Sequence, residues 1–114
     1  MSKKIINLTP HDCHLVLPNG KSIMYPKSGR VASVRQNFLP SELDLGEELK
    51  DVRVSVQEMD YTRGLPKPEE GVFYIVSLLV LDMEPNRHDL ISPAGAIRDA
   101  TGYITGFTGF YANI

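Results

Sequence analysis

Apolar residues fall in short runs between dense Gly and Pro punctuation, which favours strands over long helices, and in two of the runs polar and apolar positions alternate. Alternation puts successive side chains on opposite faces of an extended backbone, so such runs predict strands with one wet and one buried face. Residues 4–8, Lys-Ile-Ile-Asn-Leu, predict a first strand, stopped at Thr9-Pro10. Residues 14–17 and 21–25 flank Pro18-Asn19-Gly20. An Asn-Gly pair between two apolar runs predicts a hairpin with a type I′ turn, whose two central residues both need φ > 0. After a turn at Pro26-Lys27-Ser28-Gly29, residues 30–35 alternate, and so do residues 52–57. Between them, Ser41 with Asp44 three residues on predicts a short helix over 41–49. Gly46 weakens that helix by about 1 kcal/mol relative to Ala, and an irregular loop is the alternative.

The second half is punctuated by Gly and Pro. Residues 64–71, Gly-Leu-Pro-Lys-Pro-Glu-Glu-Gly, can only connect. Val72-Phe73-Tyr74-Ile75-Val76 is β-branched and aromatic and predicts a central strand. In residues 77–84 Leu and Met replace Val and Ile, which predicts a short helix capped by Ser77 and ended before Pro85, with a continuing strand as the alternative. Residues 87–91, 96–98 and 103–111 predict further short strands. There are no internal repeats or linkers. The elements predict one small α+β domain over residues 1–114, mostly β, with an antiparallel or mixed sheet and one or two short helices.

Composition narrows the function classes. The 114 residues are 42% apolar and 23% charged, as in an ordinary globular chain rather than a disordered one. Twelve Lys+Arg against 14 Asp+Glu give a net charge of −2, which argues against a long nucleic acid held by a basic face. The longest apolar stretch, residues 72–81, interrupted by Ser77, is about half a membrane span. Cys13 has no second Cys to pair with, and no signal-peptide pattern follows Met1, so a cytoplasmic protein is expected.

Candidate chemistry is sparse. Cys13 could be a nucleophile with His11 or His14 as base, but alternation puts His11 and Cys13 on one face and His14 on the other, and a structural thiol fits better. His11-Asp12-Cys13-His14 is compact, yet only His88 lies elsewhere to complete a metal site, so no metal is expected. Gly102, Gly106 and Gly109 lack the spacing of a dinucleotide-binding loop. Polar residues gather instead in turns: Lys27-Ser28-Gly29-Arg30, Asn86-Arg87-His88-Asp89 and Arg98-Asp99. Arg side chains with Gly-turn N–H groups could hold a phosphate, Phe73 or Tyr74 could stack a base, and Asp99 or Asn86 could read ribose or base edges. The alternative is a set of solvated turn residues and surface ion pairs of little energetic value.

The order of short motifs carries a resemblance. Asn7-Leu8-Thr9-Pro10-His11 is followed by Ser28-Gly29-x-Val31-Ala32, Gly64-Leu65-Pro66-x-Pro68 and the run from Gly71 to Ser77. Asn86-Arg87-x-Asp89-Leu90 and Arg98-Asp99-x-x-Gly102 complete the series. From Ile5 to about Phe107 the chain resembles the first-described family of Thoeris anti-defence proteins, phage-encoded sponges for an immune signal. The resemblance implies binding without turnover and without a cofactor, in the cytoplasm of an infected bacterial cell. The ligand would be a cyclic ADP-ribose isomer made from NAD by a TIR enzyme, with cyclic oligonucleotides as a second class. It also implies a β-sheet with two helices, and dimers that build hexamers with pockets between subunits.

Carried over by position, Arg98 would hold phosphate or ribose and Asp99 a hydroxyl. Phe73, or its neighbour Tyr74, would stack on adenine, and Asn86 would give an amide contact. The Ser28-Gly29 turn would approach a phosphate through its backbone, with Arg30 and Arg87 as further cations. The family often has Arg where Ser33 stands, so Arg30 or Arg35 would have to replace it. Two other classes compete: a small nucleotide hydrolase or lyase using His11, His88 or Asp99 as acid or base, and a phage structural or protein-interaction module.

Overall fold

A computed structural model describes residues 3–114. The chain is mostly β. Among the described residues the eight strands are β1 (Lys4–Asn7), β2 (Cys13–Val16), β3 (Ser22–Tyr25), β4 (Ser33–Pro40), β5 (Ser55–Arg63), β6 (Val72–Ile75), β7 (Leu90–Arg98) and β8 (Ile104–Ala112). One helix, α1 (Leu78–Met83), and a 3-10 turn at Glu47–Leu49 complete the elements. Six strands form a mixed sheet in the order β1-β6-β7-β8-β2-β3, and β4 pairs only with β5. The α+β, mostly β architecture expected from the short, turn-bounded runs is the one observed.

The sheet combines local and distant pairings. β1 runs parallel to β6 with Asn7 opposite Ile75, and β6 runs parallel to β7. β7 and β8 form a long antiparallel hairpin, β8 meets β2 in parallel at Phe107 and Leu15, and β2–β3 is the expected short hairpin. Just beyond β3, Lys27 bridges to Asn7 of β1, so the two edge strands of the sheet meet at one end and the sheet curls on itself.

Asn7 makes that closure. It is 2% exposed, and every hydrogen-bonding position of its side-chain amide is used. Nδ2 donates to the carbonyls of His11 (2.8 Å) and Tyr25 (2.9 Å). Oδ1 accepts from the Thr9 backbone N–H (2.9 Å) and the Thr9 hydroxyl (2.7 Å). Its own carbonyl accepts from the Ser28 N–H, while the next residue, Leu8, donates to Ile75 and accepts from Ala32.

The core lies on the α1 side of β6. Val72, Tyr74 and Val76 alternate onto that face and pack with Leu8, Ala32, Leu90 and, from the helix, Val80 and Leu81. Tyr74 is 3% exposed and therefore belongs to the core; it cannot stack on a ligand. Phe73, pointing to the opposite face by the same alternation, is half-buried. The helix reading of residues 77–84 holds because Ser77 caps α1, its hydroxyl accepting from the Val80 N–H.

Several boundaries differ from expectation. The β2–β3 turn is not type I′: only Gly20 has a positive φ (84°), and Asn19 does not. Pro18 fixes a negative φ at the first turn position, which gives a three-residue loop ending in a left-handed Gly. Residues 30–32 are not strand; the strand starts at Ser33 and runs to Pro40. Helix over 41–49 shrinks to Glu47–Leu49, because Ser41 continues the β4–β5 ladder through a bond to Val54 and its hydroxyl caps Leu43. The strand expected at 52–57 is displaced to 55–63. Residues 90–98 form one nine-residue strand rather than two short ones.

β4 and β5 form a ribbon that projects from this body. The radius of gyration is 18.1 Å and the longest dimension 61 Å, against roughly 13 Å for the radius of a compact chain of this length. Along the ribbon and its tip, Phe38 and Leu43 are each 63% exposed, Leu39 46% and Val56 47%.

Replacing Asn7 by Ala should lower unfolding stability by roughly 2–4 kcal/mol, since it orphans partners in two loops at once. Urea denaturation of the two proteins checks this, and an unchanged midpoint would remove Asn7 from its closing role.

Candidate functional site

Three of the residues singled out from sequence converge. Phe73 of β6, with Asn86 and Arg87 from the α1–β7 connection, lines a surface depression of about 390 Å³. Pro68, Glu69, His88 and Asp89 complete its walls. The fold explains the convergence: Tyr74 pairs with Leu90, which sets the start of β7 and the turn before it beside Phe73. Lys3 lies over the Phe73 ring, its Nζ 5.9 Å from the centroid, so the exposed ring face already attracts a cation.

Arg87 also holds the wall together. Its Nε and Nη2 each donate to one carboxylate oxygen of Asp89 at 2.8 Å, a two-point pair. Nη2 donates in addition to the Pro66 carbonyl at 2.9 Å, tying the 64–71 connector to the start of β7. The two side chains are only 18% and 15% exposed, so solvent screens the pair weakly. The hydrogen bond from Arg87 holds the Asp89 carboxyl below the usual carboxylate range, and the same bond raises the Arg87 guanidinium. Nη1 takes no part in these bonds and is the part of the guanidinium left for a ligand.

Asn113, missed by the sequence reading, supports the same turn. From the end of the chain its Nδ2 donates to the carbonyls of Leu81 (3.0 Å) and Glu84 (2.8 Å), closing the C-terminus of α1 where the Asn86–Arg87 turn begins. A lone Asn after an apolar strand carries no signal of this role in the sequence.

The other expected site residues lie elsewhere. Arg98 is nine positions along β7 from Asp89, roughly 30 Å at the usual strand rise. There the Arg98-Asp99-x-x-Gly102 motif builds its own turn. Arg98 Nη1 donates to the Gly102 carbonyl at 2.8 Å. Asp99 Oδ1 accepts from the Thr101 hydroxyl (2.6 Å) and from the N–H groups of Thr101 and Tyr103. The Thr101 hydroxyl first, then these N–H groups, hold the exposed Asp99 carboxyl below its ordinary range. Both side chains are exposed at the hairpin tip.

Ser28, Gly29 and Arg30 form a third group, at the Asn7 end of β1. The Ser28 N–H donates to Asn7 and the Arg30 N–H to the Ser28 hydroxyl. Of the backbone donors expected for a phosphate in this turn, those bonds leave the Gly29 N–H, presented by a residue with φ 92°.

Of the groups considered for catalysis, the only base and nucleophile that line one cleft are His11 and Cys13. His88 borders the depression, Asp99 sits at the far hairpin tip, and His11 lines a different cleft with His14, Thr105 and Phe107. Burial pushes the Cys13 thiol up, away from the thiolate a nucleophile needs. Among the described residues no three His, Cys, Asp or Glu side chains converge as metal ligands. No helix among them is long and apolar enough to cross a membrane.

No protein-family model, curated protein or solved structure matches this chain. The site consists of one flat ring, one amide and one partly committed guanidinium in a shallow depression, with the Arg98-Asp99 turn far along β7.

Changing Asp89 to Asn should cost roughly 1–3 kcal/mol near neutral pH, the worth of charge-assisted bonds. Asp89 is held low in the fold, so its contribution is present above the ordinary carboxylate range and is lost as pH falls through its lowered value. The stability difference between the two proteins should therefore shrink as the solution is acidified, and a constant difference would remove the ion pair as its source.

Proposed function

We propose that the chain is a non-catalytic binding protein that sequesters a nucleotide-derived immune signal, a cyclic ADP-ribose isomer, and so blocks Thoeris-type anti-phage defence inside the infected cell. The observation that carries this reading is the meeting of Phe73, Asn86 and Arg87 in one depression. Those are the groups needed to stack a purine, read its polar edge and meet a phosphate. The chemistry extends to cyclic oligonucleotides, which present the same base and phosphate groups.

The separation of the hairpin tip supports a site completed by several copies. Arg98-Asp99 is exposed, polar and, at the far end of β7, too far from Phe73 to touch one small ligand in the same chain. A second copy could bring its hairpin tip or its β3–β4 turn to the depression, giving a homodimer that builds to a hexamer. Such a ligand carries only a few phosphates, so a net charge of −2 is no obstacle. A stacked base and a few charge-assisted bonds, at roughly 1–3 kcal/mol each, suffice for nanomolar binding if the pocket is preorganised.

Incubating the protein with a cyclic ADP-ribose isomer should deplete the free compound and return it intact after heat denaturation, read by chromatography. Recovery of a cleaved product would make the protein a hydrolase or lyase instead. Within the sponge reading, Phe73→Ala and Arg98→Ala should each weaken binding at least tenfold by calorimetry, the exposed Arg98→Ala with little change in melting temperature. Unaltered affinity would remove that residue from the site.

A further inference from the structure

We propose that the cleft between the start of α1 and the β1–β2 connection binds a small, neutral, fused-ring aromatic whose single hydroxyl group hydrogen-bonds to Ser92. This cleft is separate from the Phe73 depression and takes a different class of ligand, so it stands or falls apart from the nucleotide reading.

The topology opens the cleft. β1 ends at Asn7 and β6 at Ile75, while β7 runs on past Ile91 with β6 no longer beside it. The chain leaving β6 turns into α1, and the chain leaving β1 crosses toward β2. The space between them measures about 420 Å³. Crevices at the carboxyl ends of parallel strands are where α/β sheets hold their ligands, and this volume lies in the range of small-molecule pockets.

Its walls select the ligand. Phe107, Pro10 and Pro93 supply rings, and Val76 and the half-exposed Leu78 supply aliphatic surface. The buried Cys13 thiol adds a soft, polarisable surface that favours an aromatic ring. No Lys or Arg lines the cleft, only His11 there can carry a positive charge, and the Asp12 carboxylate stands in the wall. A phosphate or carboxylate would lose its water without gaining a cation.

A hydroxyl left over fixes the polar end. Ser92 is 2% exposed, yet its side chain makes no hydrogen bond among the described residues. Thr62 Oγ1 is the only unpartnered side-chain polar atom sealed off completely among them, so the Ser92 hydroxyl keeps a sliver of access, and Ser92 lines this cleft. The other wall hydroxyls are engaged: Thr9 with Asn7 Oδ1 and the His11 carbonyl, Ser77 with the Val80 N–H. A buried hydroxyl without a partner is costly, and a ligand hydroxyl, able both to give and to accept, removes that cost.

Titrating nitrogen-15-labelled protein with 2-naphthol near pH 8, where an ordinary imidazole is uncharged, tests this by amide chemical shifts. Signals of Cys13, Val76, Ser77 and Ser92 should move, those of Phe73 and Asn86 should stay, and the dissociation constant should be about 10–100 μM for so small a ligand. Ser92→Ala should weaken 2-naphthol about fivefold and leave naphthalene, which has no hydroxyl, unchanged. On the unaltered protein 2-naphthoate should bind at least tenfold more weakly than 2-naphthol. No saturable shift with 2-naphthol, shifts centred on Phe73, an equal effect of Ser92→Ala on 2-naphthol and naphthalene, or 2-naphthoate binding as tightly as 2-naphthol would each overturn the proposal.

Discussion

The fold depends on a single buried side-chain amide. Asn7 sits where β1 ends, β3 leaves the sheet and the β1–β2 connection turns back, and its four hydrogen bonds join those three stretches. No other side chain of similar size could do this. The site asks for two donors toward carbonyls and an acceptor for Thr9, and a carboxylate would face two carbonyl oxygens with nothing to donate. Leu8, next to it, is almost completely buried and enters the core, so one dipeptide both closes the sheet and anchors its packing. The run Asn7-Leu8-Thr9-Pro10-His11 thus has a structural explanation complete in itself.

The same holds for other short motifs, and it changes what they can say about function. Arg98-Asp99-x-x-Gly102 is a self-capped turn, and Arg87 with Asp89 is a clamp on the 64–71 connector. Each also leaves something over: the remaining guanidinium N–H groups, the second Asp99 oxygen, the Gly29 N–H. A binding protein can be assembled from such remainders, because capture needs donors held in place and nothing that reacts. Cys13 is pushed the other way, its thiol raised by burial and so farther from the thiolate that a nucleophile needs.

The strands were legible wherever an apolar run stood between clear turn signals. Such runs placed β1, β3 and β6, whereas the two runs that alternate, 30–35 and 52–57, are the ones the structure displaces. Ser77 and the change from Val and Ile to Leu and Met located α1. What stayed hidden lies where tertiary context overrides local signals. β5 runs on through Glu58 and Asp60, a polar stretch without a buried face to impose a pattern. β7 passes straight through Pro93, which reads as a break. Beyond Ile91, however, β6 no longer lies beside β7, so a residue without an N–H is tolerated on that open side. Convergence in the depression followed from β6–β7 pairing, which no local pattern encodes.

The ribbon leaves and re-enters the body at nearly one point. At its root Gly64 adopts φ 78°, and a Cβ there would run into the Val31 carbonyl oxygen, so the two legs touch. An excursion whose ends are already in contact is geometrically invisible to the sheet it departs from. Related chains could therefore lengthen or shorten it without disturbing the six-stranded sheet, as long as each leg changes by two residues at a time. An odd step would turn every later side chain to the opposite face. Divergence in this lineage should then appear as paired insertions and deletions on either side of residues 41–54, a signature of inheritance rather than of folding.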